Sequence, residues 1–193
     1  NIGSNRLVNL EFISANPTGP LHVGHLRGAV FGDVLSRLMT KTGFKVTKEY
    51  YINDLGNQIE NLFQTVKVHI ENKVNNTKKA LKDGMYLGDY LKEIALQLVK
   101  ENIDLNNKTQ VKESIIEKIL DLIKEDLRKL GIVFDSFISE KSIHDQGILD
   151  KVLVYLNKKN LIYEGILEAP KGKKDVNWKP EKQLIFKSSS FGD

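Results

Sequence analysis

The first 53 residues alternate apolar runs with turn-forming clusters, and this pattern predicts strand, loop, helix and strand. The segment Leu7–Ile13 is apolar and partly β-branched, as in a buried strand, and the Pro, Gly and Asn residues of 14–20 end it. Helical spacing of apolar residues follows from Gly24 to about Lys41, and Phe44–Ile52 is typical of a second strand. Such a unit is most often a crossover between two parallel strands of one sheet.

Two of the predicted helices carry regular apolar stripes. In the first, Val30, Val34 and Leu38 fall at i, i+4 and i+8, and Gly43 supplies a stop signal just past the last turn. The second spans Val111–Leu130, where the apolar residues are 4, 3, 4 and 3 positions apart. We expect both helices to be amphipathic, with the long helix packed on its apolar face. That face consists of Ile116, Leu120, Ile123, Leu127 and Leu130.

The chain changes character after about residue 60, where polar Asn- and Lys-rich runs separate helical patterns. We interpret residues 61–130 as a mainly helical insertion that follows a first βαβ part, residues 1–60. Residues 131–193 then form the remainder of the fold. An extended segment, 132–139, precedes a helix, and Ser142 to Asp145 resembles a capping box at the start of that helix.

Two further strand candidates, Leu161–Leu167 and Gln183–Lys187, flank a basic loop. They predict a β-hairpin with a long connection. The overall pattern therefore favours an α/β chain.

Composition narrows the functional classes. The 193 residues are 40% apolar and 28% charged with 4 Pro, which fits one folded domain with an insertion and excludes a disordered or fibrous class. No apolar run reaches 18 residues and the start lacks signal-peptide order, so we expect no membrane partner and a cytoplasmic protein, or one in an organelle of bacterial descent. Cys is absent, which excludes disulfides and thiolate-bound zinc. The net charge of +4 is only weak evidence for a nucleic-acid partner.

The candidate chemistry lies in Pro20–His25, at the predicted junction between strand and helix. Backbone N–H groups and the helix dipole favour anions at such a junction, so a phosphate group is the natural ligand. His22 and His25 can donate to it from either side of Gly24, where the backbone can approach closely because Gly has no Cβ. The alternative is a plain turn that happens to contain two His. Zinc binding by this pair is disfavoured because further ligands are lacking nearby.

The residues around this turn resemble arginyl-tRNA synthetase of the bacterial type. The turn itself is similar to the His-Ile-Gly-His signature of class I aminoacyl-tRNA synthetases, with Val23 in the Ile place. Glu11–Ala29 resembles the family's signature almost throughout, and Glu49–Ile59 resembles its second block. Leu161–Gly165 together with Pro170–Lys173 resembles a third block. The resemblance implies an α/β fold, the first half of a Rossmann-like (HUP-like) nucleotide-binding fold with a helical insertion.

The resemblance also implies site residues. His22 and His25 would be catalytic, and together with Gly24 they would bind the ATP phosphates. Glu11 and Asn16 would bind arginine. A carboxylate in an apolar strand needs a cation or solvent, and the guanidinium group supplies a planar set of donors.

Two more residues are expected in the arginine site. Gln58 is expected near the substrate, with Asp54 as a helix cap. Glu140 resembles an acidic residue of the family's arginine pocket, although a surface Glu before a cap is nearly as good an interpretation.

The activity implied is that of an arginine–tRNA ligase. ATP would activate L-arginine to arginyl adenylate, Mg²⁺ would accompany ATP, no active-site zinc is expected, and the arginyl group would pass to tRNA(Arg). We expect the parent ligase to be monomeric. The alternatives are another nucleotidyltransferase with a His-x-Gly-His turn and a non-catalytic tRNA-binding fragment. Lys-rich segments 67–82 and 171–187 could face the acceptor end of tRNA, or could simply be solvated.

One part of the class I apparatus has no counterpart in the sequence. Nothing resembles the Lys-Met-Ser-Lys loop that completes the ATP site in these enzymes. We therefore expect the chain to be the first part of a longer catalytic domain and to be inactive by itself.

Overall fold

A computed structural model describes residues 1–167 and 180–192. They form two compact units, residues 1–142 and 143–193. The first unit contains β1 (Leu7–Glu11), α1 (Val23–Lys41), β2 (Lys45–Ile52), α2 (Asn57–Val74), α3 (Asp89–Lys100), α4 (Lys108–Lys129) and β3 (Ser136–Ser139). A short helix, α5 (Glu140–Asp145), crosses the boundary. The second unit contains α6 (Ile148–Lys158), β4 (Ile162–Ile166), β5 (Lys182–Phe186) and a 3₁₀ turn (Ser188–Phe191).

The first unit is built on a three-stranded parallel sheet in the order β1-β2-β3. Leu7 lies opposite Lys45 and Glu11 opposite Glu49, while Glu49 also lies opposite Ser136. The predicted α/β class and the parallel βαβ unit are confirmed. Along the chain, helices α2, α3 and α4 all come between β2 and β3. The connection of these two parallel strands is therefore helical, as expected.

Helix α1 packs on β1 and β2, although its apolar stripe does not make that contact. Val30 and Leu38 are about half exposed, at 52% and 56%. The buried face consists of small or polar residues, and a Cβ added at Gly32 would lie 2.3 Å from the Phe12 ring. The buried residues are Ala29, Gly32, Asp33 and Ser36. A small-residue face lets α1 lie directly against the sheet, and the apolar stripe that the sequence predicts for this helix lies on its more exposed side.

Helix α4 packs as a long amphipathic helix, as predicted, but its buried face is centred differently. Ile115 and Ile119 are fully buried, whereas Ile116 is half-buried and Leu130 is 47% exposed. The face joins α2, α3 and the sheet in one hydrophobic cluster around Tyr50. The buried residues of α4 are Val111, Ile115, Ile119, Leu120, Ile123 and Leu127.

The buried carboxylate of Asp33 fixes α1 to the sheet through polar contacts. Asp33 is 7% exposed, and its Oδ2 lies 2.6 Å from Arg37 Nε while its Oδ1 lies 3.6 Å from Lys48 Nζ. Arg37 also donates to the Gly131 carbonyl at 3.3 Å, and the Lys48 backbone N–H donates to Asp135 Oδ2 at 2.7 Å. This network links α1, β2 and the segment between α4 and β3.

In the second unit, β4 and β5 pair antiparallel, which confirms the predicted hairpin. The predicted capping box is wrong, because Ser142 lies inside α5 and α6 begins after Gly147 in a left-handed conformation. Two sequence predictions lie partly outside the described residues: the Pro170–Lys173 part of the third block, and residues 171–179 of the Lys-rich segment 171–187. Among residues 1–167 and 180–192, no helix has the length and apolar content needed to cross a membrane.

We expect Asp33→Asn to lower the free energy of unfolding of the 193-residue chain by about 2 kcal/mol, since it removes the charge that Lys48 and Arg37 share. Urea denaturation followed by circular dichroism measures this. Asp121→Asn is the matched control, because Asp121 is 68% exposed and lies 4.0 Å from Lys124, and it should change stability by less than about 0.5 kcal/mol. Equal unfolding midpoints for the two variants would contradict the role given to Asp33.

Candidate active site

The loop between β1 and α1 begins with an unusual backbone. Ile13 has φ of 66° and Ser14 has φ of 41°, both in the left-handed region that side chains other than Gly rarely adopt. The Ser14 N–H donates to the Phe12 carbonyl at 2.9 Å, which closes a tight turn straight after the strand. Such conformations persist only where surrounding contacts enforce them.

Three hydrogen bonds enforce the course of this loop. The Tyr50 hydroxyl donates to the Ala15 carbonyl at 3.0 Å, and the Tyr51 backbone N–H donates to Ser14 Oγ at 3.0 Å. The Tyr90 hydroxyl, from helix α3, donates to the Thr18 carbonyl at 2.7 Å. Burial raises the pKa of Tyr50 to about 12 even though its bond to Ala15 works in the other direction, so this hydroxyl keeps its proton. The loop is therefore held by both the sheet and helix α3.

The loop brings two of the predicted arginine-binding residues together. Asn16 Nδ2 donates to Gln58 Oε1 at 2.8 Å, although 42 residues separate them. Both side chains are exposed, so the remaining amide atoms of the pair face solvent. Gln58 lies in the first turn of α2, within the second sequence block.

His22 and His25 form a reciprocal cap at the start of α1. His22 Nδ1 accepts from the Gly24 N–H at 3.1 Å, and His25 Nδ1 accepts from the His22 N–H at 3.3 Å. The two rings stack with centroids 3.7 Å apart and an angle of 20° between them. A Cβ at Gly24 would lie 2.8 Å from His22 Cε1, so Gly is needed for this packing.

This cap determines what the imidazoles can offer to a ligand. A neutral ring whose Nδ1 accepts a hydrogen bond carries its proton on Nε2. Each ring therefore provides one Nε2–H donor beside the N-terminus of a 19-residue helix. Burial lowers the pKa of His25 below its ordinary value of 6.5, and the neighbouring His22 charge lowers it further. The pair is suited to hold an anion by hydrogen bonds from the two Nε2–H groups and from the helix N-terminus.

Glu11 is the last residue of β1 and is exposed. Its register partner on β2 is Glu49, so two carboxylates occupy one row of the sheet. No Lys, Arg or His in the described ranges forms an ion pair with Glu11. The structure thus leaves it accessible to a cation but does not place it in contact with Asn16 or Gln58.

Glu140 begins α5, at the end of β3. Asp54 secures this junction, because its carboxylate accepts from Ser139 Oγ at 2.6 Å and from the Lys141 N–H at 2.9 Å. Asp54 is therefore a cap as predicted, but for α5, whereas α2 starts at Gly56 without a side-chain cap. Burial raises the pKa of Tyr51, and the charges of Glu140 and Asp54 raise it further. The charge of Glu140 thus affects the pKa of Tyr51 at the carboxyl end of the sheet, where the β1–α1 loop also begins.

Two observations limit what else the site contains. A cavity of about 430 Å³ lies between α2 and α4 beside Asp54, and its lining includes neither His22 nor Asn16. In the part of the chain that the structure describes, no three His, Asp or Glu side chains are grouped so that they could hold a metal ion.

Sequence reasoning missed the residues that position the loop. The sequence places Tyr50 and Tyr51 in a strand and in the second block but gives neither a role in the loop, and Tyr90 carries no signal. A hydroxyl that reaches a backbone carbonyl 72 residues away leaves no local pattern in the sequence.

Comparison with known proteins matches residues 1–167 to the family described as tRNA synthetases class I (R), catalytic domain. A curated relative from Wolbachia sp. subsp. Brugia malayi (strain TRS), named arginine–tRNA ligase, is 45% identical over 197 residues, which is 100% of this chain and 35% of the relative. A relative of the same name from Rickettsia bellii (strain OSU 85-389) is 44% identical over 199 residues and is covered to 34%. The chain thus spans about a third of the length of these relatives.

Solved structures agree with this. A Campylobacter jejuni protein assigned as an arginyl-tRNA synthetase has a TM-score of 0.76 and 34% identity, covering 98% of this chain and 39% of that one. Arginyl-tRNA synthetase from Thermus thermophilus has a TM-score of 0.57 at 20% identity, which shows a shared fold, and it covers 95% of this chain and 33% of that one.

We expect NMR titration of the 193-residue chain to give His25 a pKa below 6.5. His22→Gln removes the neighbouring charge and leaves the burial, so the pKa of His25 should rise and still remain below 6.5. His69 is the internal control, since burial and Lys92 lower its pKa. A His25 pKa that does not move in the variant, or that exceeds 6.5, would contradict this account of the pair.

Proposed function

The chain belongs to the family of class I arginyl-tRNA synthetase catalytic domains, and on that basis we propose that it is part of a longer arginine–tRNA ligase. One observation carries the proposal beyond family membership. A single anchored loop holds Asn16 against Gln58 and leads into the His22–Gly24–His25 cap, so it supplies groups for an amino acid and for a phosphate on one segment.

ATP activation is the first reaction of the proposed ligase. A carboxylate oxygen of L-arginine forms a bond to the α-phosphorus of ATP, and the bond from that phosphorus to the pyrophosphate oxygen breaks. Charge builds up on the phosphoryl oxygens as this happens. The Nε2–H groups of His22 and His25 and the first N–H groups of α1 are donors fixed in advance for such charge, which is the arrangement that stabilises a transition state.

Arginine recognition is assigned to four residues. Glu11 accepts from the guanidinium group, whose two parallel N–H donors match a carboxylate. Asn16 and Gln58, already joined to each other, bind the polar end of the amino acid. Glu140 adds negative charge beside Tyr51 at the arginine pocket. A carboxylate that pairs with the guanidinium charge favours arginine over neutral side chains.

The second reaction moves the arginyl group to tRNA(Arg). A ribose hydroxyl at the tRNA 3′ end attacks the carbonyl carbon of the adenylate, and AMP leaves with the electrons of the broken acyl bond. Contact with tRNA phosphates is assigned to the Lys-rich segment 67–82, which holds five Lys and one Glu.

The cofactors, oligomeric state, location and domain bounds of the proposed ligase are inferred from the sequence. ATP enters with Mg²⁺, and no active-site zinc takes part. The complete ligase is a monomer located in the cytoplasm or in an organelle of bacterial descent, where protein synthesis needs it. Residues 1–60 and 131–193 belong to its catalytic domain, and residues 61–130 form the insertion. A different His-x-Gly-His nucleotidyltransferase is not favoured, because such an enzyme would not need Glu11.

The substrate is tested by charging assays on the complete ligase that contains this chain, with each proteinogenic amino acid in turn. We expect tRNA charging with arginine alone. The 193-residue chain should charge nothing, because the ATP site of class I enzymes needs a Lys-Met-Ser-Lys loop that this sequence lacks. Charging with another amino acid would refute the assignment, and arginine-dependent ATP consumption by the isolated chain would refute its predicted inactivity.

The role of Glu11 is tested by Glu11→Gln in the complete ligase. Removing the charge opposite the guanidinium should cost about 2 kcal/mol, a rise of about thirtyfold in the KM for arginine, with the KM for ATP unchanged. Glu93→Gln, at an exposed position of α3, is the control and should alter neither constant. A KM for arginine within twofold of the unchanged enzyme would exclude Glu11 from arginine binding.

A further inference from the structure

The insertion reaches the active-site loop through one side chain. Tyr90 lies in the first turn of α3 and is half-buried, and its hydroxyl donates to the Thr18 carbonyl at 2.7 Å. The contact is close on both sides. A Cβ at Gly19 would lie 2.9 Å from the Tyr90 hydroxyl, and one at Gly88 would lie 2.3 Å from the Tyr90 ring. Two glycines therefore leave the space that this tyrosine fills.

The Thr18 carbonyl, which Tyr90 holds, lies along the chain between Asn16 and the cap formed by His22 and His25. Tyr50 and Tyr51 hold the loop at Ala15 and Ser14, which lie before Asn16. Thr18 lies after Asn16, and its own N–H donates to the Asn16 carbonyl at 2.7 Å. The bond from Tyr90 thus restrains the stretch that connects Asn16 to His22, which the two sheet anchors do not reach.

We propose that Tyr90 is a positioning residue for adenylate formation, which acts from the helical insertion by fixing the 16–22 loop so that the amino-acid and phosphate groups keep their relative placement. This rests on the proposed function. Burial raises the pKa of Tyr90, so the hydroxyl stays protonated and remains a donor throughout the neutral pH range.

Displacement of reacting groups by a fraction of an ångström slows an in-line displacement strongly, and 1 Å costs about 100-fold. Tyr90→Phe loosens the loop without removing a group that touches a substrate. We therefore expect a kcat for arginine-dependent ATP–pyrophosphate exchange that is lower by about tenfold. The KM for tRNA in the charging reaction should remain within twofold, because the loop contributes to activation and not to tRNA binding.

The experiment uses the complete ligase with Tyr90→Phe and with Tyr86→Phe as the matched control. Tyr86 lies in the same part of the insertion, and its contact to Thr65 uses the backbone N–H, which Phe retains. The control should exchange pyrophosphate at the unchanged rate. Thermal melting checks the fold of each variant. A kcat for Tyr90→Phe within twofold, or a loss of activity that only follows a loss of folded protein, would overturn the inference.

A second variant tests the same contact from the other side. Gly19→Ala places a Cβ against the Tyr90 hydroxyl and displaces it, so it should also lower kcat. In the double variant the hydroxyl is gone and the collision is relieved, so the two effects should not add, and kcat should equal that of Tyr90→Phe. Additive effects would overturn the inference. Absence of arginine charging by the unchanged ligase would instead refute the proposed function.

Discussion

The arrangement of the site depends on one buried hydrogen bond, from the Tyr50 hydroxyl to the Ala15 carbonyl. Tyr50 has no exposed surface and packs edge-on against Phe134, so its position is fixed by the core of the first unit. Its hydroxyl cannot be left without a partner in that environment, and neither can the carbonyl that it meets. The core therefore dictates where the β1–α1 loop runs, and the loop dictates where Asn16 and the two imidazoles lie.

The fold was predictable where local periodicity reports burial directly. The strands, α1, α4 and the hairpin follow from apolar spacing and from turn residues. The buried face of α1 did not follow, because Gly32 and its small neighbours make the close contact with Phe12 and the larger apolar residues point elsewhere. Apolar periodicity identifies a helix, but the side that approaches a sheet most closely is decided by side-chain volume, which a hydrophobic pattern does not record.

The site was predictable where its residues are neighbours in the sequence. His22, Gly24 and His25 stand in one turn, and sequence alone locates them at the start of a helix. Their reciprocal capping was not foreseen, because it depends on ring orientation. The Asn16–Gln58 contact, the Asp54 cap of α5 and the loop anchors all join residues far apart in the chain. Such contacts arise from tertiary packing and carry no local signature.

The left-handed backbone at Ile13 bears on how this protein could be engineered for thermostability. A Gly at that position would relieve the positive φ, because Gly has no Cβ, but it would also give the unfolded chain more conformational freedom. Here the Ile side chain also packs against the hydrophobic cluster, and the turn it forms aims the loop. Relaxing this turn would therefore remove the packing of Ile13 and the aim of the loop together, so a heat-resistant variant that keeps its turnover has to keep the strained residue.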